Sequence, residues 1–204
     1  MNPLFAILGL PLIAACVLAA LPSRSLSAWL NATASCLTFL AACWLLVLRP
    51  EPSLFVFIDD FNVYLVVLTT FVAFTTSWFS ASYIEHEVAI GRLTPGALRF
   101  YHAMYQLLTF AMILALVANN IGLMWVAVEA ATLTTVVMVS LYRTRESIEA
   151  AWKYFILASV GIALALFGTI LVYLAAQPVM GEGDRKSTRL NSSHIQKSRM
   201  PSSA

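Results

Sequence analysis

The sequence predicts an all-α membrane protein of about six transmembrane helices, and three observations carry that prediction. Hydrophobic residues make up 60% of the 204 positions and charged residues only 11%, whereas a soluble domain is nearer a quarter charged. Mean hydropathy is +0.83. The apolar runs are continuous and roughly 20 residues long, not the alternating ten-residue segments of a barrel. Within hydrocarbon every backbone polar group needs an internal partner, which leaves helices or a closed barrel, and the run length selects helices.

Each span has a reason to start or stop where it does. The first covers Pro3 to Leu21 and is closed by Pro22-Ser23-Arg24. It lacks the basic start and small-residue cleavage pattern of a signal peptide, so it reads as a span. The second covers Ala28 to Leu48 and is stopped by Arg49-Pro50-Glu51-Pro52. The third, Asn62 to Ile84, follows the charged pair Asp59-Asp60. The fourth, Phe100 to Ala118, is joined to the fifth, Ile121 to Leu141, by the polar hairpin Asn119-Asn120. The sixth covers Ile148 to Leu174. Arg24, Arg92, Arg99, Arg143 and Arg145 fall in the loops on one side, and Arg49 with Glu51, Asp59 and Asp60 on the other. The excess of basic residues assigns the first side to the cytoplasm.

Composition changes after Pro178. Residues 179–183 form a junction, and 184–204 read DRKSTRLNSSHIQKSRMPSSA, polar and without apolar period. Read by composition alone, this is a disordered basic tail. Its basic charge would lie on the side that the other loops assign to the exterior. The string also matches the translation of a sequencing-library adapter, in which GAT-CGG-AAG-AGC encodes Asp184-Arg185-Lys186-Ser187. The expectation is a disordered appendage that is not native and a chain that is an N-terminal fragment. Five of the twelve Lys and Arg and one of the ten acidic residues lie there, so without it the formal charge would fall from +2 to −2. The net charge therefore gives no reason to expect a nucleic-acid partner.

The residue that demands explanation is Glu129, the one charged position in the run Gly122 to Thr135. It lies nine residues past Asn120, ~13 Å at ~1.5 Å per residue and close to the middle of a core ~30 Å thick. An ionised side chain at that depth costs at least ~2.5 kcal/mol. Burial disfavours the charged form of a carboxyl and a nearby cation favours it, so a carboxyl held between the two can load and release a proton. The alternative is a permanently neutral carboxyl bonded to hydroxyls, for which Thr132 and Thr134 are candidates. Trp125, one helical turn before Glu129, is placed to shield it. Lys153, within two turns of the start of span six, reads equally as a relay group or as a cation snorkelling to the interface.

Other groups carry less. His86 and His102 read as ordinary interface residues, and Glu85-His86-Glu87 cannot converge on one helical face. Trp29, Trp44, Trp78 and Trp152 lie near span ends, as interfacial aromatics do. Cys16, Cys36 and Cys43 sit inside apolar runs without metal-ligand spacing and read as small buried hydrophobes. There is no glycine-rich phosphate loop, no CxxC pair and no assembled nucleophile triad, so no cofactor of its own is expected.

The stretches NNIGLMWVAVEAATLTT and SIEAAWKYFILASVGIALALFGTILVY resemble the proton-conducting membrane subunits shared by respiratory complex I and multisubunit cation/proton antiporters. SYIEHEVAIGRLTP strengthens the likeness to the hydrogenase 4 branch of that family, of formate hydrogenlyase type. The likeness covers about Asp59 to Tyr173; the first two spans match only in character. It implies an inverted-repeat bundle of roughly fourteen spans, of which this chain carries about six. It implies proton-relay roles for Glu129 and Lys153, with the lysine that usually pairs with the glutamate lying beyond this sequence. The partners it implies are other membrane subunits and peripheral subunits, the latter holding iron–sulfur clusters and a nickel–iron site, in a prokaryotic inner membrane. Two other readings remain open: a subunit of a sodium/proton antiporter, and a non-conducting membrane anchor.

Overall fold

The computed structural model describes residues 3–20, 24–48 and 55–197, with side chains as far as 176 apart from those of Arg24, Ser25 and Pro95. The helices are α1 (Pro3–Ala20), α2 (Arg24–Trp44), α3 (Asn62–Ala89), α4 (Pro95–Val117), α5 (Ile121–Val139) and α6 (Arg145–Lys197), with a 3-10 turn at Ser140–Tyr142. Among the described residues, six helices are long and apolar enough to cross a membrane. The protein is an integral membrane protein of the all-α class. Arg49 and Glu51, whose charges help to orient the loops, lie outside the described residues.

The helix ends differ from the sequence reading in ways that local chemistry explains. Helix α4 starts at Pro95, five residues before the expected Phe100, because Thr94 caps it: its side chain accepts from the Ala97 N–H at 3.3 Å, and proline suits the first helical position. Gly91, at φ +76°, turns the chain back after α3, which runs five residues past the expected Ile84. Helix α2 begins at Arg24 and ends at Trp44, and the next residues continue as a turn. Helix α6 continues past the expected Leu174 to Lys197, through the stretch expected to be disordered; its membrane-crossing part ends at Ala176.

The chain forms two units, Met1–Val160 and Gly161–Ala204. In the first, α4 touches α1, α2, α3 and α5, and is the helix on which the others converge. One apolar cluster joins Leu4 and Ile7 of α1 to Ala42, Leu45, Val63, Val66, Ile113 and Val117. A smaller one joins Ala14 and Leu18 to Ala34 and Ala103. A third holds Ile84, Leu93 and Leu98 at the other end of α3 and α4. The second unit, taken by itself, is helical to Lys197, with Leu164, Phe167 and Leu171 exposed.

The α4–α5 connection is pinned by backbone bonds. The Phe57 N–H donates to the Val117 carbonyl at 2.8 Å, and the Asn119 N–H to that of Phe55 at 2.9 Å. The Asn62 side-chain amide donates to the Leu116 carbonyl at 3.2 Å. Asn120 then caps α5, its side-chain oxygen accepting from the Gly122 N–H at 2.8 Å and the Leu123 N–H at 3.4 Å. Replacing Asn120 with Ala should cost about 1 kcal/mol by loss of that cap, measured by reversible unfolding in mixed micelles; an unchanged transition would remove the cap from the account.

Candidate functional site around Glu129

Glu129 on α5 and Ser159 on α6 lie fifteen residues on either side of Thr144. The Ser159 hydroxyl donates to Glu129 Oε1 at 3.2 Å. Oε2 of the same carboxyl is sealed from solvent and has no hydrogen-bond partner among the described residues. One oxygen is thus held from the neighbouring helix, and the other faces the protein interior unmatched.

Thr132 and Thr134, the hydroxyls that the sequence suggests, are committed elsewhere. Thr132 donates to the Val128 carbonyl at 3.1 Å, and Thr134 to those of Ala130 and Ala131, both at 2.9 Å. Hydroxyls inside helices commonly bond back to the preceding turn in this way, so the partner of Glu129 comes from the next span. Trp125 is half-buried one turn before Glu129. Lys153 is exposed and pairs with Glu149 one turn earlier on its own helix, Nζ to Oε1 2.5 Å. It precedes Ser159 by six residues, which is ~9 Å along the axis and about 240° around it. The structure therefore brings Glu129 to Ser159 and leaves Lys153 with Glu149.

Ser159 does not stand out in the sequence, its importance lying in a bond made from another helix. His102, read as an interface residue, is fully buried, and so are Asn31 and Gln106, on which the sequence places no expectation. Among the described residues, no three His, Cys, Asp or Glu side chains are placed to hold a metal ion.

A serine hydroxyl both donates and accepts, so it can bond a carboxylate or a neutral acid by rotating its hydrogen. An unmatched carboxyl oxygen removed from solvent is costly.

Comparison with known proteins places these residues in a wider context. Residues 118–181, which include Glu129, Lys153 and Ser159, match the family NADH:quinone oxidoreductase/Mrp antiporter, TM. The chain is 53% identical over 178 residues to Hydrogenase-4 component F homolog of Methylacidiphilum infernorum, covering 87% of this chain and 37% of that protein. It is 38% identical over 96 residues to NADH-quinone oxidoreductase subunit N 1 of Opitutus terrae, 46% of this chain and 19% of the relative. It is 35% identical over 74 residues to F(420)H(2) dehydrogenase subunit N of Methanosarcina mazei, 36% of this chain and 15% of the relative. The chain thus spans well under half the length of each of these relatives.

The Glu129–Ser159 bond has a measurable coupling. A double-mutant cycle with Glu129→Gln and Ser159→Ala should return about 0.6 kcal/mol, the average for interhelical hydrogen bonds in membranes. Additive effects would mean that the two side chains do not interact.

Proposed function

Residues 118–181 belong to the NADH:quinone oxidoreductase/Mrp antiporter family, and from that premise we propose that the chain is part of a proton-translocating membrane subunit. The proposed setting is a hydrogenase 4 or NADH–quinone oxidoreductase-like complex in the inner membrane of a prokaryote. The observation that carries this reading is the half-buried carboxyl of Glu129, with one of its oxygens sealed from solvent. It sits mid-span within the matched segment, with one oxygen on Ser159 and the other sealed and unmatched.

Glu129 is the relay group: it takes up a proton and releases it when its electrostatic surroundings change. Lys153 is the nearby basic group that biases this equilibrium, and its pairing with Glu149 gives it an acidic neighbour when Glu129 is neutral. With an axial offset of ~9 Å and an effective dielectric of ~20, a cation at Lys153 interacts with a carboxylate at Glu129 by no more than ~2 kcal/mol. That is enough to tilt a protonation equilibrium and too little to hold a permanent ion pair. Trp125 helps to exclude water from the carboxyl. Redox chemistry belongs to peripheral partner subunits, through their iron–sulfur clusters and, in a hydrogenase, a nickel–iron site. This chain contributes the proton path alone.

A second reading, a subunit of a sodium/proton antiporter, is favoured by the same family match, whose description names both classes. Sodium dependence of the transport separates them.

The test is Glu129→Gln in the complete membrane complex, reconstituted in vesicles and followed by a pH-sensitive dye. Proton movement should fall at least ~30-fold while the complex assembles normally, and Lys153→Met should lower it less, within the ~2 kcal/mol bound. Undiminished pumping in Glu129→Gln would overturn the relay and leave the anchor reading in its place.

A further inference from the structure

Helices α2 and α4 bury polar side chains along their contact, Asn31, Ser35 and Thr38 on the one and His102, Gln106 and Thr109 on the other. Gln106 Nε2 lies there 3.0 Å from the Asn31 carbonyl, 2.8 Å from Asn31 Oδ1 and 2.9 Å from Ser35 Oγ. None of these six side chains lines the cavity at the neighbouring contact between α2 and α3, whose walls are of a different chemistry.

That cavity has a volume of about 620 Å³, within the ~300–1,000 Å³ of small-molecule sites. It exists because the residues facing it are short: Ala28 and Ala32 on α2, Ala81 and Ala89 on α3. Trp29 and Trp78 also line it, their rings edge to face with centroids 6.3 Å apart. Trp29, Trp78 and Phe79 are each more than half exposed, so the cavity opens sideways onto surface that meets the bilayer.

Its polar side chains are two. Glu85 and Ser82 lie three residues apart on α3, and Trp78 a further turn back, which places all three on one stripe of the helix. The Ser82 hydroxyl donates to the Phe79 carbonyl at 3.2 Å and keeps lone pairs to accept with. Glu85 is exposed and has neither a hydrogen bond nor an ion pair among the described residues. The basic residue of the following loop does not reach it: Arg92 pairs with the buried Glu87, 3.5 Å from its Oε1. The cavity thus offers an unpaired carboxylate, a hydroxyl that accepts, and two indole rings, whose faces attract cations. That set is complementary to a cation carrying N–H donors and opposed to an anion.

Depth identifies the source of such a cation. Helix α3 has 28 residues, ~42 Å at ~1.5 Å per residue, against a hydrocarbon core of ~30 Å. Its last turn therefore stands in the headgroup layer, and Glu85 is four residues from its end at Ala89. That end leads into the loop of Arg92 and Arg99, on the side that the excess of basic residues assigns to the cytoplasm.

We propose that this cavity binds a phospholipid of the cytoplasmic leaflet whose headgroup ends in a primary ammonium, a phosphatidylethanolamine. Glu85 and Ser82 accept hydrogen bonds from the ammonium, and the acyl chains leave past Trp29, Trp78 and Phe79 into the bilayer. The site is separate from Glu129 and does not depend on which ion the subunit moves.

The experiment is photolabelling of the complete membrane complex in vesicles of phosphatidylglycerol. A small fraction of phosphatidylethanolamine with a diazirine in its acyl chain is the probe, and labelled peptides are mapped by mass spectrometry. Labels should fall on the peptides of α2 and α3 that carry Trp29, Trp78 and Phe79, and the same diazirine on phosphatidylglycerol should label them no more than it labels the rest of the lipid-facing surface. Glu85→Gln should lower the phosphatidylethanolamine label about fivefold, the scale of one exposed ion pair. Ala28→Leu, which fills the cavity and keeps the carboxylate, should lower it by at least as much in complexes of unaltered subunit content. Equal labelling by the two lipids, or labelling indifferent to both substitutions, would overturn the site. So would an absence of label on these peptides, the result expected if a lysine of a partner subunit occupies Glu85.

Discussion

A polar group inside a hydrocarbon layer has to find its partner within the protein, and this one constraint organises the structure at every level. It forces the backbone into helices, and it decides which side chains those helices bring together. The Glu129–Ser159 hydrogen bond is its clearest expression. A carboxyl near the centre of α5 is acceptable because Ser159 of the next helix presents a hydroxyl to it. The bond also leaves the second carboxyl oxygen unmatched.

The spans are legible in the sequence because their signal is additive: many apolar residues in an unbroken run outweigh any single exception. Glu129 is legible as the exception, since one charge in such a run stands out. Ser159 is not, because serine is common in membrane helices and its importance lies in a pairing across a turn. His102 misleads because closeness to a span end suggests closeness to the interface. Helix α4 begins five residues earlier than its apolar run, at the Thr94–Pro95 cap, and that extra length carries His102 inward. The residues that mislead are therefore those whose depth depends on where a helix is capped, which hydrophobic periodicity records poorly.

Lys153 illustrates a different limit. Sequence leaves it between an interfacial cation and a relay group. Its bond to Glu149 and its exposure are those of an i,i+4 pair on a helix surface, while ~9 Å of axial offset keeps it within electrostatic reach of Glu129. A residue can do both, since the first is a matter of contact and the second of field. What separates Lys153 from Glu129 in kind is desolvation: the carboxyl has an oxygen removed from solvent, and the ammonium does not.

The two polar systems of the bundle meet in depth. Helices α4 and α5 are packed antiparallel neighbours turning at Asn119, and Thr109 and Glu129 each lie ten residues from that turn. By the count from Asn119, the inner end of the polar contact between α2 and α4 stands level with the Glu129 carboxyl. Its other levels, at Gln106 and His102, lie progressively nearer the side of Arg24 and Pro95. Beyond Thr109 the polar face of α4 gives way to Ile113 and Val117, both fully buried. Polarity on α4 thus extends inward as far as the carboxyl and stops there.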